Sequence, residues 1–351
     1  KGEIIDTWCY FSGVMGAPEA VVGSAHHTCA LWCAAGGFHI DPGRAVEKAI
    51  VTHAHADHCR PGHGAMLASP ETAVIAQARY GDAAFARVQT LDYRTPLTIG
   101  DVTVSLVPAG HVLGSAQVVI EAGGVRAVVS GDYKRSGDPT CLPFEVVTCD
   151  LFVTEATFGL PVFRHPPVGT EIARLLASVD RFPGRTHVIG AYALGKAQRL
   201  IAELRGAGYD RTIWLHGALQ KLCETYEQLG VPLGPVSHAT VAAASDMTGG
   251  IVLAPPGALK DRWARRLGDA LPVAASGWMR VRQRAKQRGA ELALVISDHA
   301  DWDELTRTIT ETGASEIWVT HGAEDALIHG CRAQGLRAEA LRLVGRGDEL
   351  E

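Results

Sequence analysis

The stretch Val51-Thr-His-Ala-His-Ala-Asp-His-Cys-Arg60 decides how the chain is read. Three histidines and an aspartate, His53, His55, Asp57 and His58, fall within six positions. The residues before them, Ala49-Ile-Val-Thr52, are apolar and β-branched and read as a buried strand. Pro61 and Gly62 rule out a long regular element beyond, so the polar side chains sit on a loop at the mouth of a strand. Alternation sends His53 and His55 to one side and Asp57 and His58 toward another point, which suits two neighbouring metal ions better than one. An isolated histidine is usually a core or surface residue. Four ligand-competent groups at this spacing are a metal-binding pattern, and imidazole with carboxylate selects Zn or Mn over Mg or Ca.

Other strands end in the same way. Gly37-Phe-His-Ile-Asp-Pro-Gly43 reads as a strand ending in a turn, with Asp41 at its tip. Val102–Val107, Ala116–Ile120 and Val125–Val129 show period two and read as three strands of one sheet. His111 follows the first of these and Asp132 the third. Asp150-Leu-Phe-Val-Thr154 is another strand, with Glu155 directly after it. Near the end, Glu291–Ile296 leads into Ser297-Asp-His299 and Ile317–Thr320 into His321, with a helix expected between them and Asp301 or Asp303 near its start. Strands that end on one rim of a sheet would bring these residues together. Pro70–Arg87 has helical composition, with Val74, Ile75 and Ala78 on one face.

Composition narrows the class. The 351 residues are 47% hydrophobic and 20% charged, as in an ordinary globular protein long enough for one large domain or two. No apolar run approaches a membrane span. Residues 14–37 are apolar but interrupted by Glu19, His26 and His27, so a signal peptide is not expected. Eight cysteines lie scattered without a CxxC pair, Cys29 and Cys33 being closest in register, and read as reduced thiols of a cytoplasmic protein. The net charge of −5 does not announce a nucleic-acid binder, yet cations in the site would reverse the local balance. Between Lys260 and Arg288, nine Lys or Arg face only Asp261 and Asp269. That stretch is either a solvated helix face or a phosphate-tracking surface.

From 161 to 276 strand and helix patterns alternate, as in a parallel-sheet module. Gly190-Ala-Tyr-Ala-Leu-Gly-Lys196 is a strand-to-helix turn without Walker spacing. Its N–H groups would either hold a phosphate or serve the turn itself.

These motifs resemble a known family. The pattern H-x-H-x-D-H at 53–58, with His111, Asp132 and Asp41, is similar to the signature motifs of the metallo-β-lactamase fold. Glu155, His299 in Ser-Asp-His-Ala-Asp301 and His321 in Val-Thr-His-Gly322 resemble the three further motifs of its β-CASP branch of DNA and RNA nucleases. Size and the phrase Ala191-Tyr-Ala-Leu-Gly-Lys-Ala-Gln198 look most like the bacterial ligase-associated DNA exonucleases. The resemblance implies an α/β fold, a four-layer αββα sandwich formed by 1–160 and 277–351, with an inserted α/β domain at 161–276. It implies two divalent ions, Zn or Mn. His53, His55 and His111 would hold the first, Asp57, His58 and His321 the second, and Asp132 would bridge them. A water between two cations loses its proton near neutral pH and becomes the nucleophile. Asp57, Glu155 and His299 are the catalytic candidates. Glu155 would raise the pKa of His299, which would protonate the leaving oxygen or stabilise the phosphate, while Asp41 would orient the histidine loop. Tyr192, Phe158 or Trp278 would either stack bases or belong to the core. The other nine histidines are left as structural or surface residues.

The expected activity is a metal-dependent DNA exonuclease, single-strand specific and acting in repair, with a DNA ligase and helicase as pathway neighbours and no membrane partner. The alternative is an RNA-processing nuclease. His321 favours it, because crosslink-repair DNases usually carry an apolar residue there; the lack of an RNase J-type C-terminal extension opposes it. A small-molecule metallo-hydrolase is the second alternative, and it needs neither the insert nor Glu155 and His299. An inactive binding module usually loses several ligands, and here every position is filled.

Overall fold

The computed structural model describes residues 37–341; the readings on Glu19, His26, His27, Cys29 and Cys33 lie outside them. The chain begins with four short parallel strands, β1 (His39–Ile40), β2 (Lys48–Ile50), β3 (Ala65–Ala68) and β4 (Val88–Thr90), in sequential order. Helix α1 (Pro70–Tyr80) links β3 to β4. Ser69 caps it, its hydroxyl accepting from Thr72 N, and Pro70 supplies a first residue whose missing N–H costs nothing there. The helix stops at Gly81, in the left-handed region, short of Arg87. Its buried face is Thr72, Ala73, Ile75 and Ala76, while Val74 is exposed.

The next strands are β5 (Leu97–Ile99), β6 (Val102–Pro108), β7 (Ala116–Ala122), β8 (Val125–Val129) and β9 (Leu151–Ala156). The three period-two segments are indeed neighbours, β6–β7–β8, paired antiparallel, the first two through the loop 109–115 and the last two through the tight Gly123–Gly124 turn. After β9 the chain leaves for a second unit: α2 (Val168–Arg181), β10 (Thr186–Gly190), α3 (Lys196–Gly206), β11 (Ile213–Leu215), α4 (Gly217–Gln228), β12 (Val236–His238), α5 (Ala244–Met247), β13 (Ile251–Ala254), α6 (Arg262–Arg265), β14 (Ala270–Ala275), α7 (Arg282–Gln287) and β15 (Leu292–Leu294). It returns through α8 (Trp302–Thr312), β16 (Glu316–Gly322), α9 (Glu324–Ala333) and β17 (Arg337–Ala340).

Contacts divide the described residues into two compact units. The first takes 37–137, 141–161 and 300–341. Its larger sheet has the order β17-β16-β9-β8-β7-β6-β5. Strand β16 inserts beside β9 in parallel although some 160 residues separate them in sequence. Phe38, Ile40, Ile50 and Leu67 of the small sheet share one core with Val104, Leu106, Val118, Ile120, Val129 and Val153 of the large one. The opposite face of the large sheet, with Val119, Val128, Phe152 and Val319, is covered by Leu305 and Ile309 of α8 and Leu327 and Ile328 of α9. The strands between these layers are buried on both faces, and all six residues of β9 are buried, its apolar start Leu151-Phe-Val153 included.

The second unit takes 138–140 and 162–299. Its sheet is parallel throughout, in the order β12-β11-β13-β10-β14-β15. The unit therefore runs to His299 and not to residue 276, because β15 pairs with β14. Several N–H groups of the Gly190–Lys196 turn and of the residue after it serve the turn itself. Gly195 N–H donates to Gln198 Oε1, Lys196 N–H to Leu194 O and Ala197 N–H to Tyr192 O. Among the described residues no helix is long and apolar enough to cross a membrane.

Candidate metal centre

The central loop follows β2, and Val51 N–H still bonds to Leu67 O as a strand residue would. It then folds into a turn. The N–H groups of His58 and Cys59 both donate to His55 O, and the Arg79 guanidinium of α1 donates to Ala54 O. The turn, rather than strand alternation, is what sends His53 and His55 one way and Asp57 and His58 another.

Asp41 sits at the end of β1 with φ of 45°, one of three positive-φ non-glycine residues among those described. That conformation costs about 1–2 kcal/mol, so something must hold it. Three hydrogen bonds do: Thr52 N–H to Oδ1 (2.8 Å), Thr52 Oγ1–H to Oδ2 (2.6 Å), and His58 Nδ1 to Oδ2 (2.7 Å). With its proton given to Asp41, the Thr52 hydroxyl accepts from His53 Nδ1 at 3.0 Å. That fixes the His53 tautomer and leaves Nε2 as a lone pair. Burial, and then the neighbouring imidazoles, hold the His53 pKa well below the usual value, so the ring is neutral.

Loop ends of the large sheet supply the remaining groups. His111 follows β6, Asp132 follows β8, and His321 lies within β16, where the register shifts between Thr320 and Gly322. Glu155 likewise lies inside β9 rather than after it. His321 has φ of 57°, so it too is held in a strained conformation next to the site. Gly131 at φ 57° makes the turn before Asp132, where a Cβ would come within 2.8 Å of the Thr52 side chain.

Ligand atoms of His53, His55, His111 and Asp132 all lie within 4.8 Å of one another, and those of Asp57, His58 and His321 do likewise. His53 Nε2 is 3.1 Å and His111 Nε2 3.0 Å from His55 Nδ1. Asp132 Oδ2 stands 3.5 Å from His53 Nε2, 3.3 Å from His58 Nε2 and 3.8 Å from His111 Nε2, so it faces both groups. The His58 and His321 rings stack with centroids 5.1 Å apart. Asp41, His58, Asp132, Glu155 and His321 line one small cavity.

These donors fit divalent cations. Around a tetrahedral ion with bonds of about 2.0–2.1 Å, ligand nitrogens stand about 3.3 Å apart, close to the separations seen. His58 Nε2 is buried and faces the Asp132 and Asp57 carboxylates at 3.3 and 3.6 Å. Burial opposes charge on His58, but Asp132 and Asp41 outweigh it and raise its pKa well above the usual value. The acidic surroundings that favour a proton there favour a cation equally. For Asp57, half exposed, burial works upward, yet His58, His55 and a backbone hydrogen bond together outweigh it and the pKa is lowered.

Glu155 is buried, and its Oε1 accepts from Tyr133 N at 2.7 Å. Tyr133 O in turn accepts from Ala300 N at 2.6 Å. His299, the residue before Ala300, closes the second unit. Its N–H donates to Ser297 Oγ and its carbonyl accepts from the same hydroxyl. Asp298 beside it pairs with Lys196 Nζ (3.1 Å) and Arg199 Nη1 (3.2 Å), and Lys196 also donates to Ile296 O. Thr52, Tyr133, Lys196 and Arg199 escaped the sequence reading. Only Thr52 carried a signal, as the hydroxyl next to the first histidine.

Fold and site together define an α/β protein with a histidine–aspartate centre suited to transition-type divalent cations. No family model matches the chain. It is 29% identical over 326 residues to a probable DNA ligase of Opitutus terrae, an alignment covering 90% of this chain and 30% of that protein. It is 33% identical over 140 residues to the endoribonuclease ysh1 of Aspergillus fumigatus, covering 38% of this chain and 15% of that one. The chain thus spans less than a third of the length of these relatives. Its fold is similar to that of a protein of unknown function from Enterococcus faecalis, with a TM-score of 0.57 and 16% identity over 84% of this chain and 78% of the other.

Proposed function

We propose that the chain is a nuclease of the metallo-β-lactamase fold with a β-CASP insert, a metal-dependent phosphodiesterase whose preferred substrate is single-stranded DNA, degraded from an end during repair in the cytoplasm. The observation that carries this reading is the meeting of His53, His55, His111 and Asp132 beside Asp57, His58 and His321. The shared core of the two sheets, with helices on the far face of the large one, supports the sandwich architecture. Two ions, Zn or Mn, would be held by the two groups with Asp132 shared, and bound cations there would supply a water of lowered pKa and charge to offset that of the phosphate.

The chain's own residues do the rest. Asp41 and Thr52 aim His58 and His53 by fixing the distal ring nitrogens. Glu155 anchors Tyr133, and in this reading His299 would donate its proton to the departing sugar oxygen. Nucleic acid as substrate draws support from the names of the relatives, a ligase over nine-tenths of this chain and endoribonucleases over little more than a third of it. That second similarity, together with His321, favours RNA processing as the runner-up. A small-molecule hydrolase would leave the second unit and His299 without a task.

End-labelled single-stranded DNA and RNA of equal sequence, incubated separately with Zn and Mn, test the reading. DNA should shorten from one end, and His55→Ala or Asp132→Ala should abolish cleavage while circular dichroism stays unchanged. His299→Ala should lower turnover about 10²–10⁴-fold with metal content retained. A metal-replete protein that cleaves neither polymer, or a fully active His55→Ala variant, overturns it.

A further inference from the structure

The basic run noted in the sequence is unexplained by the metal centre, and the second unit shows where it goes. Arg280, Arg282, Arg284, Lys286 and Arg288 follow one another without an intervening acid. Arg282, Arg284 and Lys286 lie on α7, are exposed and carry no ion pair among the described residues. The acids that flank the run are already engaged. Asp269 accepts from Arg185 Nε at 3.0 Å, and Glu291 takes the Arg185 guanidinium through two bonds of 2.7 and 2.8 Å. The positive charge of α7 is therefore uncompensated by its neighbours.

The place is one where parallel sheets bind ligands. After β10 the chain crosses toward β11, and after β14 toward β15 on the opposite side of the sheet. Adjacent strands whose connections diverge leave a crevice beyond their carboxyl ends. Gly190 pairs with Ala274, so the two chains leave the sheet side by side, with Tyr192 two residues past that pair and Trp278 four. Tyr192 is 58% exposed, far more than an aromatic ring in a core position. Trp278 is half-buried, its edge against Phe163 at 5.1 Å and its face under the Arg284 guanidinium at 4.1 Å. It is the support for Arg284, not a free stacking face, and Phe158 is core at 2% exposure. A stacked guanidinium keeps its planar fork directed outward, as phosphate recognition requires.

We propose that Tyr192 with Arg282, Arg284 and Lys286 forms a docking track for single-stranded nucleic acid, phosphates lying along α7 and one unstacked base on the Tyr192 ring. The track rests on the nucleic-acid reading given above but is independent of cleavage. A duplex hides its base faces, so Tyr192 contributes only to single strands.

The test is binding without turnover: fluorescence anisotropy of labelled single-stranded DNA, single-stranded RNA and duplex 20-mers in EDTA, between 50 and 200 mM salt. Combined Arg282→Gln, Arg284→Gln and Lys286→Gln should weaken single-strand binding at least about tenfold. It should also reduce the log–log salt slope by about 2, from roughly 0.7 per phosphate contact. Tyr192→Ala should weaken single-strand binding about 5- to 150-fold, from stacking worth about 1–3 kcal/mol, with the slope unchanged, duplex binding unaffected and Tyr192→Phe restoring affinity. Either polymer bound in this manner supports the track. Wild-type affinity and slope in the triple variant, equal losses for duplex and single strand in Tyr192→Ala, or no binding at 50 mM salt overturns it. If any of these accompanies intact cleavage, the track fails and the nuclease reading stands.

Discussion

Asp41 shows how much a single side chain settles. Its carboxylate takes two bonds from Thr52 and one from His58, so one residue orients a histidine of each group. Asp41→Asn keeps the shape but replaces an acceptor oxygen with a donor, and metal affinity should fall about 10–100-fold. Zinc titration monitored by competition with a chelating dye measures this, and unchanged affinity would show that the loop is held by its turn alone. His187 makes a second residue-scale prediction. It is buried, with Nε2 2.9 Å from Ser178 Oγ and, among the described residues, no hydrogen-bond partner for Nδ1, and burial lowers its pKa. The folded pKa lies below the unfolded one, so below about pH 6.5 the unfolded chain binds more protons and stability falls as pH falls. Urea midpoints at pH 7.5 and 5.5 should differ less in His187→Gln than in the native protein.

Elements set the angles at which these side chains meet. Alternation made β6, β7 and β8 legible, because each buries side chains on the pleat and closes through glycine turns. The end of α1 was less so: Ala-rich composition continues past Tyr80, and it is the conformation of Gly81 that stops the helix. In the second unit, α3 presents Arg199, 2% exposed, to Asp138, Glu203 and Asp298 at 3.2–3.5 Å. Burial opposes its charge, and the three carboxylates prevail, raising its pKa. Arg199→Met would strand buried carboxylates and should cost about 3–5 kcal/mol, read as a lowered melting temperature. Arg199→Lys should recover only part of it, since one ammonium cannot reach three partners. A Met variant as stable as the native protein would mean that the carboxylates find other donors.

For the whole molecule, the candidate ligands span residues 53 to 321 and come from the β2 loop, the ends of β6 and β8, and β16. Binding at such a site fastens distant parts of one unit, and a thousandfold excess of ion over Kd stabilises by about 4 kcal/mol. Dialysis against EDTA should therefore lower the melting temperature on the order of 5–10 °C, and added Zn or Mn should restore it. The shift should disappear in His53→Ala with Asp132→Ala. An EDTA-insensitive melt in metal-replete protein would leave the cluster without a bound ion.

The sequence by itself determined the local pieces: the histidine loop after a buried strand, the period-two strands, the βα alternation of the second unit and the polar residue at or near each strand end. These follow from neighbours along the chain, where a strand's alternation or a glycine's freedom is decided. Only the tertiary structure decided that β16 lies beside β9, which carries His321 to His58. It alone joined β15 to β14, moving the end of the second unit to His299, and left Tyr192 in solvent while Phe158 went into the core. The reason is that strand pairing and burial are set by contacts far apart in sequence, and no window of local pattern contains both partners.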